Sequence, residues 1–210
     1  HNVLDFGLML ISQSEKEGGK AVFSLVKMLA DKITSDHINK LICKPNVDES
    51  NYNSFFENID KKVCMGHQVY RKIMKLVYEH DDCQGYDLEI DLGKDPVIVF
   101  PWNRERLVNN IVNVGFPGQP WEEKNNNHMA DLYLPMGLTH IYNGNHSAYS
   151  GKMKNEGIIH IHDESAHTVH DMTELYPLIQ FDGINYVIAG SSVVVGQPYS
   201  FEQGCIFEIG

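Results

Sequence analysis

Apolar residues in the first third of the chain recur every three or four positions, the spacing that one buried face of an α-helix requires. The clearest stripe consists of Val22, Leu25, Val26, Leu29 and Ile33. A second stripe follows Ser35 and Asp36, residue types that cap helices, so the pattern predicts a new short helix there. A third stripe runs from Val63 to Val77. We therefore expect residues 1–94 to form a helical layer whose role is packing.

The period of the pattern changes after residue 94. Residues 96–101 (PVIVFP) are a β-branched run bounded by prolines, which favours a buried strand. Asn103 is suited to cap a helix that Gly115 would end. Beyond a polar loop, GLTHIY predicts a second strand, Asn143-Gly144 a turn, residues 146–155 a helix and residues 158–162 a third strand. The predicted order is strand, helix, loop, strand, glycine turn, helix, strand.

The last forty residues alternate between apolar and polar positions. The stretch YPLIQFDGINYVI places Asp182-Gly183 between two strand-like runs, which predicts a hairpin. The stretches SSVVV and CIFEI predict further strands. The predicted fold is therefore α+β: a helical region over residues 1–94, a mixed sheet over residues 95–165 and a β-rich extension over residues 166–210.

The composition is typical of a soluble globular protein, with 42% hydrophobic and 21% charged residues. No apolar run approaches the roughly 20 residues that cross a bilayer, so we expect a cytoplasmic protein without a membrane partner. The four cysteines form no Cys-x-x-Cys pair, which argues against a disulfide framework and against a zinc knuckle.

The formal net charge of −11 argues against a broad nucleic-acid surface, because such surfaces neutralise phosphates with lysine and arginine. Positive charge is scarce after residue 95. Four of the few cations there fall in two short segments: Arg104, Arg106, Lys152 and Lys154. This clustering favours a local site for a phosphorylated small molecule.

The turn from Asn143 to Ser147 is the strongest candidate for that site. The first turn of a helix leaves backbone N–H groups unpaired and attracts anions, and Gly144 would let a ligand approach the backbone. Asn145, Ser147 and His146 would add polar side chains. Arg104, Arg106 and Lys152 are the nearest candidate cations in the sequence. The alternative is that Asn-Gly forms an ordinary hairpin turn without a binding role.

The predicted order of elements, with these residues at the turn, resembles the ParB/sulfiredoxin superfamily. PVIVFPWNRERLVNNIVNVG resembles the first half of its domain, and GLTHIYNGNHSAYSGKMKNEGIIHI the second. Gly144 matches the turn glycine and His146 the motif histidine, whereas Ser147 stands where relatives have an arginine. The resemblance implies a pocket for CTP, ATP or ADP in which Arg104 or Arg106 replaces the missing arginine.

The resemblance also implies reactions. In hydrolysis or phosphoryl transfer, Ser147 and the backbone amides would hold a phosphate and Arg104 or Arg106 would neutralise it. His146 would orient the reacting group or act as general acid or base, and Mg²⁺, with acids such as Glu105 or Asp163 available to it, would supply further charge. One alternative is a metal-dependent nuclease. Another is a non-catalytic binding module of a bacterial phage-defence or toxin–antitoxin system, which would contact a protein partner or a second copy of the chain.

A separate histidine-rich stretch, HIHDESAHTVHD, suggests a metal site. His160 and His162 lie two residues apart on a predicted strand, so both side chains share one face and suit Zn²⁺, with Asp163 as a third ligand. The alternative is that these histidines sit on a solvent-exposed strand.

Overall fold

The computed structural model describes residues 2–13, 18–47, 71–72, 75, 85–115, 118–162 and 165–210. All apolar positions of the predicted third helical stripe, from Val63 to Val77, lie outside these ranges. The described residues form a mixed α+β fold in which two helices come first and strands follow. None of the helices in these ranges combines the length and the apolar character that a membrane crossing requires.

The helices in the described ranges are α1 (Asn2–Gln13), α2 (Gly18–Cys43), α3 (Arg104–Asn113), α4 (Asn145–Lys154) and α5 (Phe201–Ile209). The strands are β1 (Asp87–Asp91), β2 (Val97–Val99), β3 (Met129–Leu134), β4 (Leu138–Asn143), β5 (Ile158–His162), β6 (Thr168–Asp171), β7 (Ile179–Phe181), β8 (Tyr186–Ile188) and β9 (Val194–Gly196).

Helix α2 confirms the first apolar stripe, because Leu25, Val26, Leu29 and Ile33 are buried. The predicted break at Ser35 and Asp36 is wrong, since α2 continues to Cys43. The Asp36 carboxylate lies 2.6 Å from the Lys32 ammonium one turn earlier. Such a pair supports a helix interior, and so the acid that suggested a cap belongs to an uninterrupted helix.

The central sheet has the strand order β2-β4-β3-β6. β2 and β4 are parallel, β4 and β3 are antiparallel, and β3 and β6 are parallel. Because β2 and β4 run in the same direction, their carboxyl ends lie at the same edge of the sheet. Helices α3 and α4 follow these two strands, so both helices begin at this edge.

Two apolar cores lie on the two faces of this sheet. One joins α2, α5 and sheet residues such as Ile98 and Tyr133. The other joins Val99 and Ile141 to the two-stranded sheet of β1 and β5. The first core draws residues from all three predicted segments, so these segments pack together, and their boundaries at residues 94 and 165 stay a prediction.

Two local predictions about the strands need correction. Residues 158–162 do form a strand, but β5 pairs antiparallel with β1 in a sheet of its own. The stretch CIFEI is helical rather than extended, because Ser200 caps α5 by accepting a hydrogen bond from the Gln203 amide. A short apolar run fits a buried strand and a buried helix equally well, and here the cap decides for the helix.

The predicted hairpin at Asp182-Gly183 is confirmed as β7 and β8.

Helix α2 covers the outer edge of β2. The Thr34 hydroxyl accepts a hydrogen bond from the Val99 amide at 3.3 Å, and His37 Nε2 donates to the Pro101 carbonyl at 2.6 Å. An uncovered edge strand would leave such backbone groups unpaired. The two contacts therefore fix the end of β2 and the chain that leads into α3.

We expect Thr34→Val to lower the free energy of unfolding by about 1–3 kcal/mol, because the Val99 amide would stay buried without an acceptor. Urea unfolding followed by circular dichroism measures the change. Ser24→Ala is the matched control, since the Ser24 hydroxyl donates to the Lys20 carbonyl on the exposed side of the same helix. Equal losses in the two variants would contradict the assigned role of Thr34.

Candidate functional site

The segment from Asn143 to Ser147 is a strand-to-helix corner. β4 ends at Asn143, Gly144 has a φ of +80°, and α4 begins at Asn145. A Cβ atom at Gly144 would lie 2.5 Å from His128 Cδ2 and 2.8 Å from the Asn127 carbonyl oxygen. The backbone conformation and the close packing both require glycine here. The alternative of a plain hairpin turn is wrong.

Two side chains of the corner bind the connection between β2 and α3. Asn145 Oδ1 accepts a hydrogen bond from the Phe100 amide at 2.7 Å. His146 Nε2 accepts one from the Asn103 amide at 3.2 Å. These bonds hold the first turn of α4 against the carboxyl end of β2. The predicted residues Asn145 and His146 therefore join the start of α4 to the chain that leads from β2 into α3.

The two helix N-termini at this edge differ in their backbone amides. At α3, Asn103 Oδ1 accepts from the Arg106 amide at 2.8 Å, and the Pro45 carbonyl accepts from the Arg104 amide at 3.0 Å. At α4, Gly144 provides no side-chain cap. Within the described ranges no acceptor faces the amides of Asn145 and His146. The first amides of α3 are thus bonded by the protein, whereas two amides at the start of α4 make no such bond within the described ranges.

His146 is held as a neutral imidazole. Burial lowers its pKa below the ordinary value, and the positive charge of Arg106 lowers it further. Because Nε2 accepts the Asn103 amide hydrogen, the ring proton belongs on Nδ1. His146 can therefore donate one hydrogen bond from Nδ1 at the start of α4.

The two arginines of α3 have different positions. The Arg106 guanidinium carbon lies 5.0 Å from the centre of the Trp102 ring. That ring meets the His146 ring edge to face, with 5.4 Å between the ring centres. Arg104 instead donates from Nη1 to the Ile42 carbonyl near the end of α2, at 3.3 Å. The structure thus brings Arg106, rather than Arg104, towards His146.

Ser147 faces the loop of residues 121–128. Its hydroxyl is hydrogen-bonded to His128 Nε2. His128 Nδ1 accepts from the Lys124 amide at 2.9 Å, so the proton of the neutral ring lies on Nε2 and is donated to Ser147. Trp121 stacks on His128 with 4.7 Å between ring centres, and its Nε1 donates to the Ser147 carbonyl. In this tautomer His128 cannot take the proton of the Ser147 hydroxyl.

Lys152 and Asn143 lie apart from these contacts. The Lys152 ammonium is 2.6 Å from Asp31 Oδ1 on α2, and only 10% of its side chain is exposed. Asn143 is exposed to solvent at the end of β4. The structure therefore uses Lys152 to hold α4 against α2 and does not bring it to Gly144.

The structure describes two of the three predicted metal ligands. His160 and His162 share the outward face of β5, as their spacing predicts, while Asp163 lies outside the described residues. Glu123, which lies far away in sequence, is 2.7 Å from His160 Nδ1. The described part of the chain contains no group of three histidine, cysteine or acidic side chains placed to hold a metal ion.

Glu123 also contacts His167, whose Nε2 lies 3.3 Å from its carboxylate. His167 Nδ1 accepts a hydrogen bond from the Ala130 amide at 3.1 Å. The neutral His167 ring therefore donates from Nε2 and has no lone pair left for a metal. Glu123 and His128 were missed by the sequence analysis, because no local spacing connects residues 121–128 to their partners His167 and Ser147, which lie 19 to 44 residues later. His167 belongs to the histidine-rich stretch, where it was expected as a possible third metal ligand and not as a partner of Glu123.

The burial of His128 predicts that the stability of the fold depends on pH. Burial lowers its pKa to about 4 in the folded chain, against an ordinary value of about 6.5 when unfolded. The unfolded chain therefore takes up the proton first as the pH falls, and the folded state loses stability below about pH 6.5. Between pH 7 and pH 5 the loss through His128 should be about 1–2 kcal/mol.

Unfolding free energies of the wild type and His128→Asn at several pH values measure this contribution. Asparagine Oδ1 can still accept from the Lys124 amide, but the side chain does not titrate. The variant should therefore show a shallower decrease between pH 7 and pH 5. The buried His140, whose pKa burial also lowers to about 4, remains in both proteins. Parallel curves would contradict the assignment to His128.

Comparison with curated proteins finds no match, and comparison with solved structures finds none. The ParB/sulfiredoxin resemblance therefore stays a prediction. A family model described as a family of unknown function, DUF6710, matches residues 1–210. Because that match extends over all 210 residues, the chain belongs to the DUF6710 family.

Proposed function

We propose that the corner at Gly144 binds the phosphate group of a nucleotide or of another phosphorylated small molecule. The observation that carries the proposal is the start of α4, where the Asn145 and His146 amides have no acceptor within the described ranges. Backbone amides at the first turn of a helix are well suited to phosphate oxygens.

Two side chains support a phosphate at this position. The Nδ1–H group of His146 is a hydrogen-bond donor beside the same turn. The exposed Arg106 carries a guanidinium group close enough for its charge to act on His146. An arginine can bind two phosphate oxygens at once, so Arg106 is the better replacement for the arginine that Ser147 displaces in the predicted motif.

The geometry supports binding more strongly than turnover. The Nε2 atom of His146 is occupied by the Asn103 amide, and the Ser147 hydroxyl is occupied by His128. Neither group is arranged as a base or as an activated nucleophile. The catalytic roles of His146, Ser147 and Arg104 remain a prediction from the sequence, and phosphate binding is the function that we propose.

The described residues at the corner do not fit a protein-held Mg²⁺ ion. Hard divalent cations prefer several oxygen ligands, chiefly carboxylates. The described side chains at and beside the corner are instead the imidazoles of His128 and His146 and, over the Trp102 ring, the guanidinium of Arg106, while Glu105 is exposed on α3. We therefore derive no step through a protein-bound metal ion. A nucleotide could carry Mg²⁺ on its own phosphates.

A metal-dependent nuclease has less support. The outward face of β1 carries Asp87 and Glu89 opposite His162 and His160, and these carboxylates would repel a phosphodiester backbone. A non-catalytic binding module is compatible with phosphate binding, since it needs no activated nucleophile.

The two tryptophans of the chain flank the first turn of α4, so they can report on ligands. Trp102 contacts His146, and Trp121 contacts Ser147. We expect CTP, ATP, ADP or GTP, with or without Mg²⁺, to change the intrinsic fluorescence with saturation. Trp102→Phe and Trp121→Phe would then show which flank senses the ligand. No saturable change with any of these nucleotides would contradict the proposal.

We expect Arg106→Gln to weaken nucleotide binding by about tenfold or more, because a charged hydrogen bond to phosphate is lost. Arg104→Gln is the matched control, since Arg104 is the neighbouring arginine on α3 and its guanidinium binds the Ile42 carbonyl. The control should change the dissociation constant by no more than about twofold. An equal loss in both variants would indicate general electrostatic attraction instead of a built site.

A further inference from the structure

A cavity of about 590 Å³ lies between the start of α1, the hairpin of β7 and β8, and α5. None of its lining residues belongs to the corner at Gly144. Its volume falls within the range of about 300–1,000 Å³ that is typical of small-molecule sites. The cavity therefore has the size of a second ligand site.

The walls of the cavity are mainly apolar. Leu4 lines it from α1, Phe181 from the end of β7, and Phe201 and Cys205 from α5. The Phe181 and Phe201 rings lie against each other with 5.8 Å between their centres. Burial raises the pKa of the Cys205 thiol to about 11, so this side chain lines the cavity as a neutral group. These walls suit an apolar ligand body.

Two carboxylates add negative charge to this apolar lining. Glu208 Oε2 accepts a hydrogen bond from the Phe181 amide at 2.8 Å. Asp182 Oδ1 accepts from the Ile184 and Asn185 amides at 2.8 and 2.7 Å. These bonds fix where both carboxylates sit. The described residues that line the cavity include no lysine, arginine or histidine, and no ion pair joins either acid to a described cationic side chain.

We propose that this cavity binds a small organic cation, an amine with an apolar body. The apolar walls would bury the body, and Asp182 and Glu208 would hold the ammonium group by charge-assisted hydrogen bonds. The net charge of −11 attracts such a ligand to the protein. This site is independent of the corner, which accepts a ligand of the opposite charge.

Isothermal titration calorimetry of the full chain with 4-phenylbutylamine tests the proposal. Two matched probes keep the apolar body and change the head group: 4-phenylbutanol is neutral and 4-phenylbutyrate is anionic. We expect the amine to bind about tenfold more tightly than the alcohol, and the carboxylate not to bind. Equal affinities of amine and alcohol, or tighter binding of the carboxylate, would overturn the proposal.

Isosteric variants test the two carboxylates. Glu208→Gln and Asp182→Asn each retain an oxygen that accepts the backbone hydrogen bonds of the native residue, so the hairpin should keep its shape. We expect each variant to lower the affinity for the amine several-fold and the double variant to lower it about tenfold. The affinity for the alcohol should stay unchanged. Asp87→Asn on the exposed face of β1 is the matched control and should leave both affinities unchanged. A double variant with wild-type affinity for the amine would overturn the proposal.

Leu4→Lys tests the location of the bound amine. The new ammonium group would enter the cavity and occupy the carboxylates, so both the amine and the alcohol should lose binding. Leu4 is only half buried, and the thermal midpoint should change little. Undiminished binding of both probes would place their site elsewhere and overturn the proposal.

Discussion

The contact between α2 and the outer edge of β2 is the constraint on which the site depends. Thr34 and His37 bind the end of this strand, and so they fix the chain from Val99 to Pro101. Phe100 in this stretch and Asn103 just beyond it supply the amides that bind Asn145 and His146 at the start of α4. Without a fixed β2 edge, the two corner side chains would have no defined partners. The helical layer therefore positions the site, although it contributes no residue to the turn itself.

The parallel pairing of β2 and β4 explains why the open helix start lies where it does. Both strands deliver a helix to the same sheet edge, but the protein satisfies the first amides of α3 with Asn103 and Pro45. At α4 the cap is Gly144, which has no side chain to offer. The sheet edge thus contains one closed and one open helix N-terminus. This asymmetry confines the phosphate position that we propose to a single turn and sets it apart from the acidic cavity beside α5.

The sequence predicted the turn better than its surroundings. Gly144 and His146 were identified because a glycine before a helix start is a local signal that needs no knowledge of the fold. The choice between Arg104 and Arg106 was not local, since it depends on Trp102 holding one guanidinium and the end of α2 holding the other. Lys152 was placed at the turn by proximity in sequence, yet its ion pair with Asp31 belongs to the packing of α4 on α2. His128 and Glu123 come from a loop whose sequence shows no period.

The sequence by itself determined the helical stripe of α2, the caps at Asn103 and Gly144, and the hairpin at Asp182-Gly183, because spacing and turn chemistry act within a few residues. Tertiary structure alone decided that β5 pairs with β1 and that α2 runs through Asp36. Short apolar runs satisfy more than one local conformation, and their partners lie tens of residues away. Which conformation wins is set by the surface that each run can bury, and that surface exists only once the chain has folded.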